Sequence, residues 1–251
     1  IVTRLCIDHL RSARVRRESY IGPWLPEPVL TEGSAGPAAS LALTESISMA
    51  FLIMLEKLSP AERAAFLLRE VFSYEYADLA NVLDRSQAAT RQLVSRARRK
   101  LERTGKDPSS VAGSGKRPAR LTEHFLNAAG GGDMDGLLNL LAPDATVWSD
   151  GGGKAAAARR PIRGAEKVAA FFLGLSRQAP SGAVGWFTEI NGEQGFILYE
   201  DGRPTTALVP HVIDGRIHAV YAVRNPDKLQ RLPPLSQVGD DASLVYFSDD
   251  G

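Results

Sequence analysis

The spacing of apolar residues changes kind across residues 104–119, and that change constrains what this chain can fold into. Before it, apolar side chains recur at helical intervals. Phe51, Met54, Leu55 and Leu58 form one stripe with Ile47, and Thr44 is placed to cap their helix. Ser59-Pro60 with Glu62 reads as a capping box opening a second helix, with Ala64, Leu67, Leu68, Val71 and Phe72 as its apolar set. A third helix is expected from Ser73, with Tyr76, Leu79, Ala80 and Leu83, and a fourth from Ser86 to about Arg103. After the break, helical spacing persists only around Leu121–Ala129, Leu137–Leu141 and Ala165–Leu175. The strand-like runs ATVWS, VGWFTEI, GFILYE, TTALVPHVI and RIHAVYAV follow, separated by the turn strings NGEQG, EDGRP and IDGR. The expected chain is therefore multidomain: an all-α bundle at 43–103, then an α+β domain with a mainly antiparallel sheet at 120–230. Residues 20–42 and 104–119, rich in Gly, Pro and Ser, read as linkers, and 231–251 as a loose tail.

Composition narrows the function classes. Lys and Arg total 30 against 29 Asp and Glu, so any affinity for a polyanion must come from where charge sits. A single cysteine, Cys6, excludes an internal disulfide framework and a Cys-based structural zinc site. No apolar run reaches the roughly 20 residues of a membrane span, and no secretory signal is visible, which points to the cytoplasm. The first residue is Ile1, and IVTRLCIDHLRSARVRRE reads as the back of a helix whose front is missing.

In LDRSQAATRQLVSRARRKL, Leu83–Leu101, the cations crowd onto one helix. With Ser86 as N-cap, Leu93, Val94, Ala97 and Leu101 fall on one side together with Thr90. Ala88, Arg91, Gln92, Ser95 and Arg99 fall on the other, flanked by Arg96, Arg98, Lys100 and Arg103. Short and amide side chains near the start and cations along the length suit a helix entering a DNA major groove. Basic residues late in a helix also suit its macrodipole, so the preceding residues matter. Ala80 is small where two helices must touch, and Asp84, four positions on, tolerates the left-handed geometry of a helix-turn-helix turn. Leu83 and Val94 can close the small core between them.

These residues carry a family resemblance. LSPAERAAFLLREVFSYEYADLANVLDRSQAATRQLVSRARRKL resembles region 4 of extracytoplasmic-function, group 4, sigma factors, and residues 1–19 resemble the last helix of their region 2. WLPEP (Trp24, Leu25, Pro26, Glu27, Pro28), DGGGK (Asp150, Gly151, Gly152, Gly153, Lys154) and NPDKL (Asn225, Pro226, Asp227, Lys228, Leu229) are similar to strings of the subgroup carrying a fused C-terminal SnoaL-like domain. The resemblance implies core RNA polymerase and promoter DNA as partners, no cofactor, no metal, and region 4 reading the −35 element. It implies DNA-contacting roles for Arg85, Ser86, Gln87, Thr90, Arg91, Gln92, Ser95, Arg96 and Arg99, although the helical wheel puts Thr90 on the apolar side. The polymerase contact is expected on the other face, within Leu52–Phe72.

The second domain is expected to be a SnoaL-like, nuclear-transport-factor-2-like cone whose pocket could take an unknown small ligand. Trp148, Asp150, Trp186, Tyr221, His211 and His218 are the candidates for pocket chemistry, but no motif defines a nucleophile, metal site or acid–base pair. A non-enzymatic role is expected: the domain regulates sigma activity in cis, with DGGGK, helped by NPDKL, contacting the linker or the region 2 remnant. Two alternatives stand beside this, a ligand-responsive helix-turn-helix regulator and a SnoaL-like isomerase, cyclase or hydrolase with an accessory DNA-binding bundle.

Overall fold

A computed structural model describes residues 20–31, 48–102, 120–178, 180–239 and 242–247. Residues 1–19, expected to be the last helix of region 2, Thr44 with Ile47, and Arg103 with the expected 104–119 linker lie outside them. The described residues form two compact units, one from residues 48–102 and one from 21–31 together with 120–247. No described helix is long and apolar enough to cross a membrane.

The first unit holds helices α1 (Met49–Leu55), α2 (Pro60–Phe66), α3 (Tyr76–Leu83) and α4 (Gln87–Glu102). The described α1 starts later than the sequence suggests: Ser48 is its N-cap, its hydroxyl accepting from Phe51 N–H at 3.2 Å. The capping box on α2 forms as read, with Glu62 accepting from Ser59 N–H at 2.9 Å. Beyond α2 the pattern departs from expectation. Leu67–Val71 forms a π-turn, with Phe72 N–H donating to Leu67 O at 3.1 Å, and the extra residue rotates the following side chains. Ala65 and Phe66 are buried instead of Ala64 and Leu67, and Phe72, expected in the core, is 59% exposed. Ser73 takes φ 54° and Glu75, not Ser73, is the N-cap position of α3. One cluster of its core joins Ala65, Leu79, Leu93 and Val94, with Leu68, Tyr76 and Leu83 packed against it, and Met49, Phe51, Met54, Leu55, Phe66, Ala97 and Leu101 are buried besides.

The second unit holds α5 (Arg120–Gly130), α6 (Met134–Leu140), β1 (Leu141–Asp150), β2 (Ile162–Arg163), α7 (Ala165–Ser176), β3 (Val184–Ile190), β4 (Glu193–Glu200), β5 (Arg203–Ile213), β6 (Arg216–Val223), the short α8 (Pro226–Leu229) and β7 (Ser243–Tyr246). The sheet order is β2-β1-β6-β5-β4-β3-β7, and only β1–β6 is parallel. Three hairpins turn on Asn191-Gly192, Asp201-Gly202 and Asp214-Gly215, all with positive φ, the pairs that match the twist of the flanking strands. Helices α5 and α7 pack on one face of the sheet, where Phe125 meets Phe172 edge-on at 4.8 Å and Phe187 meets Phe196 at 5.1 Å.

Two expectations are corrected here. The expected tail supplies a strand: β7 pairs antiparallel with β3, from Val184↔Tyr246 to Phe187↔Ser243. Alternating SLVY between polar and charged neighbours was too short to register as a strand until an open edge lay beside it. The expected linker also joins the second unit. Residues 21–31 form a strap anchored near the end of β1 and at the β3–β4 turn, where Asn191 N–H donates to Val29 O at 2.8 Å and Leu30 bridges Ile190. The sheet order puts β6, β5 and β4 between those anchors. Alternation places Ile197, Val209 and Tyr221 on the face away from α5 and α7, yet all three are buried. The strap is tied down at both sides of these strands, and Tyr199 Oη donates to Pro233 O at 3.2 Å.

Candidate nucleic-acid interface and linker latch

Helix α4 divides its residues sharply. Thr90, Leu93, Val94, Ala97 and Leu101 are buried, whereas Arg85, Ser86, Gln87, Arg91, Gln92, Ser95, Arg96 and Arg99 are exposed. Asp84 sits at φ 54°, ψ 54°, and Arg85 N–H closes the turn on Ala80 O at 3.0 Å. This turn lets α3 and α4 share a core while leaving the front of α4 bare. Ser86 caps α4 by accepting from Ala89 N–H at 3.2 Å. Thr90 is a correction: its side chain is 0% exposed and its hydroxyl donates to Ser86 O at 3.0 Å, so it cannot touch DNA. Thr90→Val should therefore leave duplex affinity within about twofold while losing one hydrogen bond, about 1 kcal/mol, in thermal unfolding. A large drop in duplex affinity at unchanged stability would contradict this placement.

The cations of α4 separate into two sets. Arg98 pairs with Glu70 at 2.8 Å and Lys100 with Glu62 at 2.7 Å, tying the helix to its own domain. Burial alone would raise the Glu62 pKa, but hydrogen bonds from Lys100 and Ser59 outweigh it and hold the carboxyl below its usual value. A depressed carboxyl stabilises the fold above its unfolded pKa, and that contribution fades as pH falls through the folded value. Arg91 lies 5.2 Å from the Tyr76 ring, which steadies its guanidinium on the outer face. Among the described residues Arg96 and Arg99 bond only to Gln92 O and Ser95 O one turn back, each at 3.4 Å. Glu62 and Glu70 thus select which cations stay available, a sorting that spacing along α4 could not show.

WLPEP, DGGGK and NPDKL converge on one buried carboxylate. Asp150, 0% exposed at the end of β1, accepts from Leu25 N–H at 2.8 Å and from Lys228 Nζ at 2.6 Å through Oδ2. Its Oδ1 accepts from Gly152 N–H at 3.0 Å. Lys228 Nζ also donates to Leu25 O and lies 4.2 Å from the Trp24 ring centre. Asn225 caps α8 by accepting from Asp227 N–H at 3.1 Å, which aims Lys228 inward. Leu25, Pro26, Pro28 and Leu229 are buried; Pro226 is exposed. Exposed pairs flank the buried one: Lys154 with Asp227 at 2.6 Å and Glu27 with Arg231 at 3.2 Å. The glycines have steric reasons. A Cβ on Gly151 would stand 2.2 Å from Ala155 O, and one on Gly153, at φ +73°, would stand 2.8 Å from Ile21 Cδ1. The strap thus enters over Gly153 and locks at Asp150.

Two hollows among the described residues are lined by none of the remaining candidates. His211 is buried against Glu193, Nδ1 to Oε1 at 3.0 Å, and Tyr221 keeps its phenol proton because burial, then the Glu193 carboxylate, raise its pKa. His218 is half-buried, 3.7 Å from Asp144, and Trp148 and Trp186 are half-buried beside Tyr221 and Ile197 in the register. A hollow of about 270 Å³ between the end of α5 and β7 is lined instead by Phe187, Phe196, Val245 and Phe247 with Leu126 and Asn127. The Glu193–His211 pair went unnoticed in the sequence because its two residues sit on different strands, 18 positions apart.

Comparison with known proteins agrees with this arrangement. Residues 48–101 match the family described as Sigma-70, region 4. The chain is 38% identical over 247 residues to the ECF RNA polymerase sigma factor SigJ of Mycobacterium tuberculosis (strain ATCC 25618 / H37Rv), covering 93% of this chain and 77% of that protein. It is 38% identical over 148 residues to the probable ECF RNA polymerase sigma factor SigI of Mycobacterium tuberculosis (strain CDC 1551 / Oshkosh), covering 57% of this chain and 49% of that one. The crystal structure of M. tuberculosis SigJ superposes with a TM-score of 0.66 at 34% identity, over 85% of this chain and 76% of that chain. A region 4 helix-turn-helix, with kinship to SigJ that spans both units, makes this chain a member of the extracytoplasmic-function family of RNA polymerase sigma factors.

Proposed function

We propose that this chain directs core RNA polymerase to promoters, with α4 reading the −35 element in the major groove and the SnoaL-like domain regulating that act in cis through the strap. The division of α4 carries the reading. Arg91, Gln92 and Ser95 stand outward at the positions that reach base edges, Arg96 and Arg99 stand outward for phosphates, and the apolar stripe is packed away. One such helix contacts few base pairs and binds weakly alone. Delivery by the polymerase raises its effective concentration at the promoter. Phe72 and Tyr74, 59% and 42% exposed after the π-turn, offer the apolar contact for that docking.

Regulation follows from the order of the chain. Region 4 lies between two segments of the second unit: the strap before it and α5 after it. With the latch closed, region 4 is leashed at both ends; with it open, at one end only. Closing a loop removes orientational freedom, so the latch changes how readily region 4 can meet polymerase and promoter together. Pull-down of core polymerase by the full-length protein, followed by in vitro transcription, tests the reading. Capture and promoter-dependent transcripts are expected. Duplex binding with no capture would make the protein a stand-alone regulator, and unchanged promoter output after replacing Asp150–Lys154 with alanines would remove the regulatory role.

A further inference from the structure

Residues 151–163, GGGKAAAARRPIR, contain four cations and no acid. Lys154 is taken by Asp227 at 2.6 Å. Arg159, Arg160 and Arg163 are exposed and have no ion-pair partner among the described residues. The nearest acids in sequence are engaged or set apart: Asp150 is buried in the latch, Asp144 lies by His218, and Glu166 follows on α7. The chain as a whole has almost equal numbers of acids and bases, so this run of cations without an acid is a local concentration of charge.

The loop is held rather than loose. Gly151 O accepts from Lys154 and Ala155 N–H at 2.9 and 3.0 Å, and Arg224 Nη1 grips Ala156 O at 2.7 Å. Arg163 is set in β2 opposite Thr146, and Gly164 N–H donates to Ala145 O at 2.8 Å. Pro161 stiffens the path between the arginines. Beside Arg159 lies a hollow of about 360 Å³ walled by glycine and alanine, which lets a backbone approach closely. A pre-ordered loop loses little freedom on binding.

We infer that Arg159, Arg160 and Arg163 form a second, sequence-independent contact for the phosphates of duplex DNA, carried by the SnoaL-like domain. Guanidinium forks suit phosphate oxygens, and the loop places no amide or hydroxyl side chain beside them. The inference rests on the proposed promoter-binding reading and adds a role for the second domain besides the latch. It also remedies a physical weakness, since one helix-turn-helix binds feebly and three more phosphate contacts act on any sequence.

The test titrates the full-length protein against a random-sequence DNA duplex across salt, comparing wild type, Arg159→Ser/Arg160→Ser/Arg163→Ser, the matching triple Lys variant, and Arg96→Ser/Arg99→Ser. The Ser triple should lower the slope of log affinity against log salt by about 2 to 3, from about 0.9 per phosphate contact. The Lys triple should restore most of that slope, and all variants should keep the wild-type unfolding midpoint within a few degrees. An unchanged slope in the Ser triple, with a lowered slope in the Arg96/Arg99 variant, overturns this inference and leaves region 4 reading intact. If the Arg96/Arg99 variant also keeps its slope, the promoter-binding reading fails as well. Loss of core-polymerase capture by the Ser triple at an unchanged slope would assign the surface to protein and overturn the inference too.

Discussion

Lys228→Ala opens the strap. Asp150, buried at the end of β1, then loses the Lys228 ammonium, and the carboxylate's hold on Leu25 N–H gives way. Breaking a buried pair by removing one partner costs about 3–5 kcal/mol, most of it the uncompensated charge left behind. The variant also loses the donor to Leu25 O and the ammonium over Trp24, a cation–π contact of about 0.5–2 kcal/mol. The direct readout is amide exchange at Leu25, whose N–H is bonded to Asp150 at 2.8 Å. Its protection should fall by two orders of magnitude or more, while amides of the β5–β6 ladder keep theirs. The double variant Asp150→Asn/Lys228→Met should recover part of the stability, because removing both charges leaves no orphan. Full protection at Leu25 in Lys228→Ala would show that the carboxylate does not hold the strap.

Arg91→Ala/Gln92→Ala should erase discrimination between a −35 duplex and a scrambled one. Each well-made base contact is worth about 1–3 kcal/mol of discrimination, so losing both costs roughly 2–6 kcal/mol if the two act independently. Stability should fall by no more than about 1 kcal/mol, since both side chains are exposed and only the Arg91 contact with Tyr76 is lost. Leu93→Ala shows the opposite pattern. It empties a site in the cluster of Ala65, Leu79, Leu93 and Val94 and should cost about 2–5 kcal/mol in unfolding. Discrimination that survives the double substitution, in protein that still binds duplex, would remove Arg91 and Gln92 from the reading face.

Much of α4 was legible because a single helix converts spacing into direction. Once Ser86 caps it, each residue's side follows from pitch, and Asp84 in the turn follows from the few residues that tolerate positive φ. Thr90 shows the same rule at work: the wheel places it inward, and the structure buries it. The Asn-Gly and Asp-Gly hairpins were readable for a similar local reason. The π-turn after Phe66 was not, since one inserted residue leaves composition unchanged while rotating Phe72 out to solvent.

Sequence by itself determined the two-part organisation, the helix-turn-helix and the outward set on α4, because those depend on interactions a few residues apart. Tertiary structure alone decided that Asp150, Leu25 and Lys228 meet, that Glu62 and Glu70 withdraw Lys100 and Arg98 from the basic face, and that SLVY completes the sheet. Partners 28, 38, 78 and 125 positions apart are brought together by the folded chain, and no period along the sequence encodes which buried charge finds which counter-charge.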